Sequence, residues 1–191
     1  TYPAADGTQI PGYLTLPPGG DGKNLPAIVM PHGGPSARDE WGFDWLAQFF
    51  AHQGYAVLQP NYRGSSGYGA DWFQKNGFQS WRTAIGDVND GGRWLVQQGI
   101  AAPGKLAIVG WSYGGYAALQ SAVLDPDLFK ATVAIAPMPV LAANQTITQL
   151  KVSEQEAQDQ EVLKKAYQSG SLQAAKAFEK DLTTVLSHAP A

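Results

Sequence analysis

Residues 110–116, Gly-Trp-Ser-Tyr-Gly-Gly-Tyr, restrict what this chain can fold into more than any other stretch. They follow an apolar run, Leu106-Ala107-Ile108-Val109, of strand length and precede Tyr116–Leu124, which reads as a helix. A serine held between strand and helix must sit on a sharp turn that pushes its hydroxyl clear of the backbone. Gly110 and Gly114 lack the side chains that would collide at such a turn. A helix beginning just after Ser112 directs free backbone N–H groups toward developing negative charge. The pattern predicts a strand–turn–helix unit with Ser112 as candidate nucleophile. The plain alternative is a glycine-rich turn without chemistry.

A second stretch bears on the same chemistry. Met30-Pro31-His32-Gly33-Gly34-Pro35 closes the apolar run Ala27–Met30. Acyl transfer needs two backbone donors for a tetrahedral oxyanion, one from the residue after the nucleophile and one from an early His-Gly-Gly loop. Tyr113 and Gly34 are the candidates, with Gly33 allowing close approach of a substrate. His32 precedes Ser112, whereas a Ser-acid-His order places the base last, so His32 reads as a residue that shapes its loop. A third stretch, Asn61-Tyr62-Arg63-Gly64-Ser65-Ser66-Gly67-Tyr68-Gly69, has the glycines and aromatics of a substrate-facing wall. Arg63 is either a carboxylate binder or the partner of a structural acid. Tyr68 and Trp111 join the candidate substrate contacts.

Four apolar runs, 27–31, 55–59, 105–109 and 131–136, alternate with helix candidates near 43–53, 70–76, 81–98 and 113–124. This alternation predicts an α/β chain with right-handed crossovers and a doubly wound, mostly parallel sheet, and the Gly-x-Ser-x-Gly turn makes it α/β-hydrolase-type. Ile10–Leu16 is expected to add an antiparallel edge strand. Asp87 and Asp90 sit early in a helix pattern, where carboxylates suit the macrodipole, and no third metal ligand accompanies them. The six tryptophans, Trp41, Trp45, Trp72, Trp81, Trp94 and Trp111, read as core and helix-packing residues, with an apolar pocket lining as the alternative and Trp111 set apart by its place beside the nucleophile.

Several separate motifs in order resemble the catalytic domain of the prolyl oligopeptidase family of serine peptidases, particularly its acylaminoacyl-peptidase and dipeptidyl-peptidase-like branches. They are Ala5–Leu14, Pro31–Pro35, Asn61–Ser65, Gly86–Asp90, Gly110–Tyr116, and Asp127–Ala131 leading to Ala134–Pro137. The resemblance covers about residues 1–138 and implies hydrolysis of peptides, or of related esters and amides, through an acyl-enzyme on Ser112. It also implies an eight-stranded sheet, which this chain would fall short of by two strands, with the catalytic acid and histidine on loops downstream of the serine. Downstream of Ser112 stand Asp125, Asp127, Asp159, Asp181 and a single histidine, His188. Seven residues along one helix separate Asp181 from His188 by roughly 10 Å, too far for a hydrogen bond. His188 is therefore only a fallback base.

The expected organisation is a partial hydrolase core over 1–140 and a helical segment over 141–191, packed on or beside it. Ser153-Glu154-Gln155-Glu156 fits a capping box, and Leu172, Ala175, Phe178, Leu182, Val185 and Leu186 recur at helical spacing. This stripe either packs on the sheet or binds another protein. A net charge of −3 offers no footprint for nucleic acid, and no apolar run approaches a membrane span. Without cysteine there is no thiol chemistry, and no cofactor or metal is expected. Thr1 as the first residue suits a processed chain or a piece of a longer one. An exposed sheet edge leaves homo-oligomerisation open, and nothing selects a compartment. The functional expectation is a serine peptidase. The alternatives are a catalytically incomplete hydrolase acting as a binding module, and a carboxylesterase.

Overall fold

The computed structural model describes residues 1–34, 36–74 and 80–137. All fall within the first of the chain's two units, Thr1–Pro139. The helical reading of 141–191, and His188 with it, lies outside the described residues.

The chain opens with β1 (Tyr2–Pro3) antiparallel to β2 (Gln9–Ile10), followed by β3 (Gly12–Thr15) and β4 (Leu25–Val29). Then come α1 (Trp45–His52), β5 (Ala56–Pro60), α2 (Ala70–Gln74), α3 (Trp81–Gln97), β6 (Ala101–Trp111), α4 (Tyr113–Leu124) and β7 (Ala131–Ile135). The main sheet has the order β3-β5-β4-β6-β7, with only β3 antiparallel to its neighbour. All of β5 is buried. Covering both faces explains why the central strands read as continuous apolar runs rather than as alternating ones.

β6 is longer than its apolar run suggested. Its first pairing, Leu25↔Ala101, is out of step with the next, Ala27↔Leu106, and Pro103, Gly104 and Lys105 are exposed in between. Periodicity reports only the part of a strand that is buried, so this outer portion left no signal.

The strand order places the site. The chain passes from β4 to β5 on one side, then crosses back to place β6 and β7 on the other. The carboxyl ends of β4 and β6 therefore flank the point where the winding reverses, where open α/β sheets form a crevice. The His-Gly-Gly segment leaves β4 there, and Ser112 leaves β6.

α1 begins because the Asp44 carboxylate caps it, accepting the Ala47 N–H at 2.8 Å. Leu46, Ala47 and Phe50 face a core of Ile28, Met30, Val57 and Val109. Trp45 and Phe49, four residues apart, fall on the opposite face and are exposed. Trp41 is 88% exposed, and only Trp81 of the six tryptophans is fully buried. The core reading of the tryptophans is thus corrected for Trp41 and Trp45: large apolar residues lie on more than one face of 41–50, but only one face of α1 meets the sheet. Asp87 and Asp90 also lie beyond the first turn of α3, which contains no acid. Their macrodipole role gives way to ion pairing.

Candidate active site

Ser112 caps α4 with φ 57° and ψ −118°, a left-handed conformation that costs a non-glycine residue of order 1–3 kcal/mol. Neighbouring backbone holds it there. The Ser112 N–H donates to Ile135 O at the end of β7 (3.0 Å), and its carbonyl accepts the Tyr116 N–H (3.0 Å). A Cβ on Gly110 would lie 2.0 Å from Gly114 O, so β6 and α4 meet too closely for any side chain. Ser112 is half-buried and Tyr113 buried. Tyr113 opens α4, so its N–H is among those without an intrahelical acceptor.

The His-Gly-Gly segment packs directly on this turn. A Cβ on Gly114 would stand 2.1 Å from Pro31 O, and one on Gly33 would stand 3.5 Å from Ser112 Cβ. Gly34 has φ +121°, a backbone that favours glycine. His32 organises the segment rather than approaching the serine. Its ring stacks on Tyr62 at 4.4 Å with planes 14° apart. Its Nδ1–H donates to Gly33 O at 2.6 Å, and Nε2 lies 2.8 Å from the Ser65 hydroxyl. The Tyr62 hydroxyl donates to His32 O at 2.8 Å. Burial pushes the His32 pKa down, a shift partly offset by the bond to Gly33, and favours the neutral ring. A planar trans peptide sets N–H opposite C=O. With Gly33 O turned to the imidazole, the Gly34 N–H points away from it.

Arg63 belongs to the second of its two expected kinds. Its Nη2 lies 2.7 Å from Asp87 Oδ1, its Nε donates to the same carboxylate, and its Nη1 reaches Asp6 Oδ2 at 2.5 Å. The Arg63 N–H also donates to Asp87 Oδ2 at 2.9 Å. Asp87 is almost fully buried, and burial raises its pKa against the opposing pull of Arg63. The guanidinium therefore ties the loop after β5 to α3 and to the N-terminal turn, with its donors committed to acids. Tyr68, 38% exposed, receives a hydrogen bond from Asn61 Nδ2 at 2.8 Å.

A cavity of about 220 Å³ opens beside the elbow, lined among others by Gly33, Gly110 and Trp111. Trp111 is 60% exposed at its edge. Arg63 and Tyr68 are not among the lining residues, whereas Asp39, Asp44 and Trp45 are. Asp39 and Asp44 were missed in the sequence, and Trp45 lines the pocket that was the second reading of the tryptophans. Asp39 and Asp44 stand in a stretch, 36–44, that offers no motif in the sequence. Among the described residues neither histidine hydrogen-bonds Ser112: His32 Nδ1 is engaged by Gly33 of its own loop and Nε2 by Ser65 of the loop after β5, and His52 ends α1.

Known proteins share this fold. The chain is 40% identical over 138 residues to dipeptidyl aminopeptidase BIII of Pseudoxanthomonas mexicana, covering 68% of this chain and 20% of that protein. A solved prolyl endopeptidase superposes with a TM-score of 0.65 at 26% identity, over 71% of this chain and 20% of that one. An acylaminoacyl peptidase, solved with Z-Gly-Gly-Phe-chloromethyl ketone, gives 0.61 at 30% identity, over 70% and 22%. This chain thus spans about a fifth of the relatives it matches. The family model for prolyl oligopeptidases matches residues 41–189, running past residue 138, where the recognisable motifs end. By that match and by its likeness to these peptidases, the chain belongs to the prolyl oligopeptidase family.

Proposed function

We propose that this chain carries the nucleophile and oxyanion half of a serine peptidase centre. Ser112 attacks the scissile carbonyl, and the backbone N–H groups of Tyr113 and Gly34 receive the resulting oxyanion. The observation that carries this reading is the strained Ser112 conformation at the β6–α4 turn, with Gly33 packed against it. Strain of this kind persists where surrounding structure over-determines it, and it exposes the serine hydroxyl for attack. The His32 ring is a positioning group that fixes the 33–34 peptide. Gly33 and Trp111 border the approach to the serine, and Tyr68 stands farther along the loop after β5. The relatives' names put the substrate in the peptide class, and an ester passes through the same acyl-enzyme.

We infer that the base comes from outside the described residues, with His188 the sequence's one downstream histidine. The whole peptidase, of which this chain spans about a fifth in its relatives, would complete the triad. The test is turnover of an aminoacyl p-nitroanilide beside the matching p-nitrophenyl ester. Hydrolysis of both, abolished by Ser112→Ala, supports the peptidase. Ester hydrolysis alone points to an esterase. Neither reaction from folded protein points to a catalytically incomplete binding module.

A further inference from the structure

The loop after β5 reads in the sequence as a substrate-facing wall, but Tyr62 within it is fully buried and out of a substrate's reach. Its ring meets both segments that carry the oxyanion donors. It stacks on His32, whose Nδ1–H fixes the Gly33 carbonyl and with it the 33–34 peptide. Its hydroxyl holds the preceding peptide at His32 O. The same ring lies 6.0 Å, centroid to centroid, from the ring of Tyr113, with planes 26° apart.

A side chain can set such a spacing only if its own backbone is held. The Tyr62 carbonyl accepts the Ser65 N–H at 3.0 Å and the Trp72 indole N–H at 3.2 Å. Asn61, also fully buried, grips the loop that follows the oxyanion segment. The Asp39 N–H donates to Asn61 Oδ1 at 2.8 Å, and Asn61 Nδ2 donates to Asp39 O at 3.0 Å. On the other flank, Arg63 is locked to Asp87 of α3 through both its backbone N–H and its guanidinium. The residues on either side of Tyr62 are thus anchored, and the ring between them touches both donor segments. Close packing transmits any change in its size or stiffness to those segments.

We infer that Tyr62 is a positioning residue for acyl transfer, its rigid ring setting the separation between the Gly34 and Tyr113 N–H groups. The role rests on the peptidase reading of the site. Oxyanion donors work when each lies about 2.7–3.1 Å from the oxygen that becomes charged, so a small displacement weakens them. An aliphatic side chain at position 62 leaves Ser112 and the approach to it in place. What it loses is stabilisation of the charge that develops during attack.

The test compares acylation of Ser112 by p-nitrophenyl acetate and by its thiono analogue, in which sulfur replaces the carbonyl oxygen. Each rate is taken above that of Ser112→Ala. Sulfur is larger than oxygen and a weaker hydrogen-bond acceptor, so donors placed for oxygen favour the ester. Tyr62→Leu should lower this preference roughly 10- to 100-fold by slowing the ester reaction. Tyr62→Phe, which keeps the ring, should recover most of it. Leu95→Ala, at a fully buried position of α3, should lose stability and leave the preference unchanged. A folded Tyr62→Leu with the parental preference, or a Tyr62→Phe as impaired as Tyr62→Leu, would overturn the role and leave the peptidase reading standing. If Tyr62→Leu does not fold, Tyr62→Met, which fills the space with a flexible chain, decides by the same ratio. A folded parent that reacts with neither compound would overturn the peptidase reading and this role with it.

Discussion

Gly114 and Pro31 meet so closely that a single methyl group on Gly114 would lie 2.1 Å from the Pro31 carbonyl oxygen. This contact joins the serine turn to the oxyanion segment across more than eighty residues of sequence. Because the obstacle is backbone, no rotamer change relieves it. Gly114→Ala should therefore cost at least about 3 kcal/mol, the upper range for overpacking. Gly86→Ala, in α3 with nothing within 4 Å, should be neutral or stabilising. Thermal unfolding of the pair checks this. Equal melting temperatures would mean that the two segments are not so closely packed.

Arg63→Met leaves Asp87 buried without its cation, which should cost about 3–5 kcal/mol at neutral pH. The sign of the pH effect follows from the direction of the shift. Burial already raises the Asp87 pKa, and losing Arg63 raises it further. A carboxyl raised in the folded state contributes its stability at low pH and loses it as pH rises through the folded value. The deficit of the variant should therefore be smallest near pH 4 and grow toward pH 8, as followed by urea unfolding at each pH.

Asp39 gives a second pH signature. Its folded value, about 7, stands above the ordinary 3.8, so the folded state holds an extra proton between them. Its contribution to stability is full below the lower value and is lost as pH rises to the upper one. Asp39→Asn should flatten the stability profile from pH 4 to 7 and gain relative to the parent at pH 8. Parallel profiles would show that this carboxyl is not perturbed.

Tyr62→Phe deletes the hydroxyl that donates to His32 O. The expected loss is about 1 kcal/mol of stability. Slower reaction at Ser112 should accompany it, because the hydroxyl braces the His32 carbonyl, one peptide before the one that carries the Gly34 N–H. A stability change with no change in serine reactivity would make the Tyr62 hydroxyl structural only.

The fold was legible because its signals are local. Gly110, Ser112 and Gly114 are dictated by one turn, and the buried runs of β4 to β7 follow from coverage on both faces. The edge strand was found at Gly12–Thr15, inside the expected Ile10–Leu16. The cavity was not legible, because it is assembled from β4, the loop before α1, and β6. Asp39 stands in a charged, loop-like stretch, and nothing local says that Asn61 will grip its backbone. Trp45 misled for a related reason: apolarity marks a residue, but which helix face meets the sheet is decided by packing. The two readings of Arg63 could be separated only by seeing Asp87 beneath it.

The central claim is that Ser112 is an activated nucleophile, and covalent labelling by a fluorophosphonate tests it most directly. Folded protein should take up one label per chain, located by mass spectrometry on Ser112 and absent from Ser112→Ala. Folded protein that takes up no label, or label that survives the substitution, would contradict the account.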